Sequence, residues 1–370
     1  MGRRILITGG AGFVGSNLSL HLKAENPGNE VIALDNLKRR GSELNLSRLA
    51  AGGVVFQHGD VRTTEDLAAV GAVDLLIECS AEPSVHAGQD GSLGYLINSN
   101  LIGAINCFDH ARAHGSDVIF LSSSRVYPIP VLRDLPLVHE GGRLDIPAGH
   151  AGTGWSCAGI STDCPLLGHR SLYGATKLSA ELLLEEYRQS FGLRTIINRF
   201  GVLAGPWQMG KVDQGFIALW AARHLFGGEL KYLGFGGYGH QVRDVLHVAD
   251  MCRLISFQIQ QMDKLSGGIF NAGGGADNSI SLAELTEECR KLAGREMSIQ
   301  PVAETAAVDI PWYITDNSAV TGATGWTPKI GIKSLLEDVF GWLDANRALL
   351  QPIFSPEGAG TTSKERQKPQ

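Results

Sequence analysis

Cysteine is sparse and scattered in this sequence. Its six cysteines (Cys79, Cys107, Cys157, Cys164, Cys252 and Cys289) include no Cys-x-x-Cys pair. That spacing offers no zinc site and no disulfide framework, and it suits a reducing compartment. Positive charge is also thin: no basic tract of five or more residues occurs and the formal net charge is −6, which argues against a nucleic-acid binder. No apolar run approaches the roughly 18 residues of a membrane span. The chain passes from Met-Gly-Arg-Arg directly into an apolar run, so no signal peptide is expected. A soluble, cytoplasmic protein is predicted, without a membrane or nucleic-acid partner and without a metal.

What remains is ordinary for a globular enzyme. Apolar residues make up 44% of the 370 and charged residues 19%. At ~150 residues per domain, that length allows two cores.

The start of the chain is the most informative stretch. Arg4-Ile-Leu-Ile-Thr8 reads as a buried parallel strand, and it meets Gly9-Gly-Ala-Gly12-Phe13-Val14-Gly15 before a helical pattern through Leu18, Leu20 and Leu22. Glycines at 9, 12 and 15 allow a tight turn, close approach to a pyrophosphate, and tight helix–strand packing. A second strand, Val31–Leu34, ends at Asp35, 20 positions after Gly15, where an acid is expected on a ribose 2′-hydroxyl. A carboxylate there repels a 2′-phosphate, so NAD is favoured over NADP, against the pull of Lys38, Arg39 and Arg40. Further strands are predicted over Val54–Gln57, leading to Asp60 and Val61; over Asp74–Ile77, leading to Ser80 and Ser84; over Asp117–Leu121, delivering Ser122-Ser-Ser124; and over Leu193–Asn198. A helix is predicted from Asn98 to Ala113, with Asn100 near its start. Ligands of open α/β sheets bind at the carboxyl ends of such strands.

Residues 126–170 are rich in Pro and Gly and read as a long insertion, the kind of loop that serves as a lid or partner surface. Ser171-Leu-Tyr173-Gly-Ala-Thr-Lys177 then opens a helix that places a phenol and an ammonium on one face. A fixed positive charge favours the phenolate, so a tyrosine placed this way can act as a base near neutral pH. Alone, the pair also fits any helix surface. Later, Tyr232–Gly239 reads as a hairpin, Ile269–Gly275 as a last buried strand and turn, and Ser281 with Glu284 as a capping box. A final helix is predicted over Ile332–Leu349, and the chain turns polar from Ser355.

Taken in order, Gly9/Gly12/Gly15, Asp35, Asp60, Asn100, the Ser122–Ser124 strand end and Tyr173/Lys177 resemble the extended short-chain dehydrogenases, within the nucleotide-sugar epimerase/dehydratase group. Asp35–Gly41, Gly159–Tyr173, Gly205–Gly215 and Gly239–His247 look like its CDP-tyvelose/CDP-paratose 2-epimerase branch. The resemblance implies an α/β fold: a doubly wound parallel (Rossmann) sheet over residues 1–200, completed by about 241–273. A smaller mixed α/β substrate domain would comprise 201–240 and 274–350, and 351–370 would be a disordered tail. It further implies NAD, held by Gly9, Gly12, Phe13, Val14, Gly15, Asp35, Asn36, Asp60, Val61, Ser80, Asn100, Ser122, Tyr173 and Lys177. Ser123, Tyr173 and Lys177 would be catalytic, and Ser84, Gln208, Gln214, Arg243 and Asp309 would touch a nucleotide-linked hexose, with CDP favoured. A homodimer or homotetramer is expected, through the helices near 98–113 and 172–191.

Departures narrow the resemblance. Glu78 stands where many relatives carry His. Ala306 replaces an arginine that often grips the substrate phosphates, leaving His240 or Lys211 as possible substitutes. Val202 replaces an asparagine common in 4-epimerases. Ser124-Arg125 stands where 4,6-dehydratases carry an Asp-Glu pair. A UDP-sugar 4-epimerase and a non-catalytic NAD-binding protein are the alternatives.

Overall fold

The computed structural model describes residues 2–87, 93–210 and 215–354. Gln214 and Lys211, and the tail from residue 355, lie outside the described residues.

Seven parallel strands form the central sheet: β1 (Arg4–Thr8), β2 (Glu30–Asp35), β3 (Val55–His58), β4 (Leu75–Glu78), β5 (Asp117–Ser123), β6 (Thr195–Phe200) and β7 (Gly268–Ala272). Their order is β7-β6-β5-β4-β1-β2-β3, so the winding reverses between β1 and β4. The crevice at that reversal is where an open α/β sheet receives its ligand. The strands are continuous apolar runs because both faces are covered. One apolar cluster joins Ile5, Ile7, Val31 and Leu75 to the Val248–Gln260 helix; another joins Leu6, Ile32, Leu76 and Phe120 to Phe108, Ala180 and Leu184. The expected Rossmann sheet is present, with strand ends displaced by one or two residues. The displacement matters at β5 and β6, which run on to Ser123 and Phe200.

A third apolar cluster lies beyond the sheet, where Trp220 and Leu230 pack with Leu285, Leu335 and Phe340. Ser281 and Glu284 form the anticipated capping box on the Leu282–Ala293 helix. The hairpin expected over Tyr232–Gly239 is absent. Leu230–Leu233 instead pairs in parallel with Ile299–Val302, then enters a short 3₁₀ turn at Phe235–Gly237. The terminal helix also breaks in two, Ile332–Ala345 and Arg347–Phe354.

The 126–170 stretch is built rather than loose. It holds the Ile129–Arg133 helix, a hairpin of Val138–Glu140 with Arg143–Asp145, and a small three-stranded sheet ending at Gly159–Ile160. Its apolar residues Tyr127, Ile129, Ile146 and Ile160 pack on Trp312 and Tyr313. The helix expected from Asn98 begins earlier, at Leu93, and passes through a π turn at Asn98–Ile102 before Gly103–His114.

Candidate active site

The first βα turn fits a dinucleotide. Gly9 has φ +61°, and a Cβ on Gly15 would stand 2.2 Å from the Gly9 carbonyl oxygen, so strand and helix touch backbone to backbone. At Gly12 a Cβ would meet only the Gly9 carbonyl, at 3.1 Å, and otherwise open space. The Phe13–Glu25 helix starts there without a side-chain cap, leaving its first N–H groups for an anion. Asp35, at the end of β2, accepts hydrogen bonds from the Ala11 N–H (3.1 Å) and the Leu37 N–H (2.8 Å). Burial raises its pKa against those bonds. Of the nearby cations, Lys38 lies over the Tyr95 ring and Arg39 donates to the Met209 carbonyl.

Asp60 accepts from Asn36 (2.8 Å) and bidentately from Arg62, whose hydrogen bonds pull its pKa down to about 2. Val61 is buried against Gly103, and its carbonyl accepts from Asn106. Asn100, buried in the π turn, makes two hydrogen bonds to the Glu82 backbone, so it fixes the loop that follows β4. The Ser84 hydroxyl accepts from the His86 N–H in that loop.

The chemistry converges at the ends of β4, β5 and β6. A cavity of about 960 Å³ is lined by Phe13, Val14, Ser123, Tyr173 and Lys177 together with Gln208, Arg243 and Asp309. Ser171 caps the Leu172–Phe191 helix by accepting from the Gly174 N–H, which sets Tyr173 in the first turn and Lys177 one turn on. Ser123 ends β5 and accepts from the Arg125 N–H at 3.2 Å. The Ser122 hydroxyl donates to Glu181, which in turn pairs with Arg199.

Lys177 is 2% exposed and Glu78 1%, and the ammonium lies 3.4 Å from the carboxylate. It also donates to the Leu121 carbonyl at 3.0 Å, while Ser80 donates its hydroxyl to Glu78. Burial works against the lysine's charge, but Glu78, helped by the Tyr173 phenol, outweighs it and raises its pKa above the ordinary lysine value. The sequence marked Glu78 only as a departure; its partner shows only in three dimensions.

Arg243 donates to the Val242 and Ile310 carbonyls, both at 2.7 Å. Burial, with Arg125 nearby, lowers its pKa to about 9, against the pull of Asp309 and Asp244. His240 does not line this cavity; its ring nitrogen faces that of His139 at 3.2 Å. Gln208 donates to the Leu203 carbonyl while its own carbonyl oxygen is buried without a partner among the described residues. Arg125 lines the cavity and went unassigned in the sequence, although a charged residue two places past a strand-end serine is itself a signal.

With this geometry in place, the profile of the NAD dependent epimerase/dehydratase family matches residues 5–273. The chain belongs to that family. A CDP-paratose 2-epimerase of Salmonella typhi is 29% identical over 356 residues, covering 92% of this chain and 98% of the other. A UDP-glucose 4-epimerase of Corynebacterium glutamicum is 24% identical, covering 92% and 96%. Among solved structures, the dTDP-glucose 4,6-dehydratase of Streptomyces venezuelae with NAD bound superposes with a TM-score of 0.77 at 27% identity, covering 95% and 99%. As in other members of the epimerase/dehydratase family, NAD is the cofactor. Among the described residues no helix is long and apolar enough to cross a membrane.

Proposed function

We propose that this protein is an NAD-dependent epimerase acting on a CDP-linked hexose in the cytoplasm, inverting sugar carbon 2 through a 2-keto intermediate. The observation that carries this is one cavity lined by Ser123, Tyr173 and Lys177 together with Arg243 and Asp309. Such a cavity suits a molecule that carries both a reacting hydroxyl and phosphates. Tyr173 takes the proton of the carbon-2 hydroxyl, Ser123 hydrogen-bonds the same oxygen, and Lys177 carries the positive charge beside them. NAD, which the Gly9–Gly15 turn and Asp35 would hold, would supply the hydride acceptor and donor for that carbon. Arg243 holds the phosphates, a guanidinium being suited to paired anionic oxygens. Asp309 meets the nucleotide ribose, and Gln208 and Ser84 touch the sugar. The similarity to a CDP-paratose 2-epimerase over nearly the whole chain supports this choice over carbon 4 of a UDP-sugar. Ser124-Arg125 in place of an Asp-Glu pair speaks against dehydration.

The test is turnover on CDP-, UDP- and GDP-hexoses, compared with Tyr173→Phe. The variant should lose at least about 100-fold in rate while keeping its NAD. Equal rates for both proteins on every substrate would overturn the enzyme reading.

On this reading residues 1–200 and about 241–273 hold the cofactor, and 201–240 with 274–350 hold the substrate. A homodimer fits the same picture. Leu182 and Phe191 on one helix are 63% and 57% exposed, and Ile97 and Ile102 add an apolar strip beside them.

A further inference from the structure

Two guanidiniums bracket one carboxylate inside the cavity. Arg125 Nη1 donates to the Val308 carbonyl at 3.3 Å, and Arg243 Nη2 donates to the Ile310 carbonyl at 2.7 Å, so Asp309 lies between their anchor points. The backbone of Arg125 is fixed too. Gly174, the residue after Tyr173, packs so closely that a Cβ on it would stand 2.1 Å from the Arg125 carbonyl oxygen. Arg125 is therefore held by packing next to the head of the helix that bears the phenol, on the 3₁₀ turn (Ser124–Val126) that follows Ser123. Among the described residues its side chain makes no hydrogen bond beyond the one to Val308. Two cations against one acid leave net positive charge in a partly enclosed space. Burial lowers the pKa of both arginines, Asp309 opposes this in each, and an anionic ligand would relieve the imbalance.

We propose that Arg125 is a specificity-determining residue: with Arg243 it grips the substrate diphosphate, and its place beside Tyr173 selects carbon 2. This rests on the nucleotide-sugar reading above. In a nucleoside-diphosphate hexose the β-phosphate is carried on carbon 1, whose ring neighbour is carbon 2, while carbon 4 lies across the ring. A guanidinium pinned next to the phenol reaches the β-phosphate when the reacting carbon is the neighbour of carbon 1. With carbon 4 at the phenol, the anion within its reach would be a carboxylate on carbon 6, as in a uronic acid. Arg125 thereby supplies the second phosphate contact that Ala306 does not provide.

The test is calorimetric binding of CDP and CMP to the NAD-loaded protein, for wild type, Arg125→Gln and Arg125→Lys, with thermal midpoints and NAD content as checks on folding. Arg125→Gln should weaken CDP by about tenfold or more and CMP far less, since only CDP carries the β-phosphate, and Arg125→Lys should recover part of the loss. Unchanged CDP affinity in a folded Arg125→Gln protein would overturn the assignment. So would unchanged CDP affinity together with loss of UDP-glucuronate turnover, which would give the arginine to a sugar carboxylate and the chemistry to carbon 4. A wild-type protein that binds neither CDP nor UDP would instead sink the nucleotide-sugar reading itself.

Discussion

Glu78→Gln removes the charge that faces Lys177 while keeping the side-chain shape. In the native protein both groups are almost wholly buried, 3.4 Å apart, and the remaining partners of the ammonium are the Leu121 carbonyl and the face of Phe120. A dipole and a ring do not replace a counter-ion, so breaking one side of a buried pair is expected to cost about 3 kcal/mol. For a chain of this length that corresponds to a thermal midpoint lower by about 4 °C. The sign with pH follows from the lysine. Its folded pKa is raised, so its stabilising contribution is complete below the ordinary lysine pKa and is lost only as pH rises through the raised value. Without Glu78 the lysine pKa falls. The limb of the pH–rate profile that reports the lysine charge therefore moves to lower pH. Adding Lys177→Met should return part of the lost stability, because the orphaned charge is gone. Differential scanning calorimetry and pH–rate profiles of the single and double variants provide the assay. A Glu78→Gln protein with the wild-type midpoint and an unmoved profile would refute the coupling.

Three further outcomes follow from named contacts. Gly15→Ala should lower both the thermal midpoint and the NAD retained after purification, because its methyl would collide with the Gly9 carbonyl and Gly10; a normal NAD content would count against the turn as cofactor cradle. Asp244 is fully buried, which raises its pKa to about 6 against the hydrogen bond from the Gly275 N–H. An acid raised on folding contributes stability below its unfolded pKa and loses it as pH rises through the folded one. Thermal midpoints of wild type relative to Asp244→Asn should accordingly decline between pH 4 and pH 7, roughly the window from the ordinary carboxylate pKa; a flat difference would refute this. Leu182→Glu should halve the mass seen by light scattering if the apolar strip on the 172–191 helix joins two copies; an unchanged mass would remove that face from the interface.

The parallel sheet was legible because its signals are local. Gly9, Gly12 and Gly15 sit between an apolar run and a helical period, and Asp35 closes the next strand, so the winding could be read in order. Tyr173 and Lys177 were legible for the same reason, being one helical turn apart. Relations between distant segments were hidden. Nothing near Glu78 announces Lys177, and nothing near Arg125 announces the carbonyls flanking Asp309. The 126–170 stretch looked like a loose insertion because its strands are two or three residues long, too short for a period to show, and its stability comes from packing on Trp312 and Tyr313. Tyr232–Gly239 carried hairpin-like glycines, but Leu230–Leu233 finds a parallel partner at Ile299–Val302, a pairing decided by tertiary contacts.

The most direct test of the central claim is to incubate the purified protein in deuterated water with CDP-hexose and no added cofactor. Epimer inverted at carbon 2 and free of carbon-bound deuterium is the predicted result, since the hydrogen leaves and returns as hydride without meeting solvent. Deuterium at the inverted carbon would mean that a proton was taken by a base and replaced from water, and would contradict the mechanism.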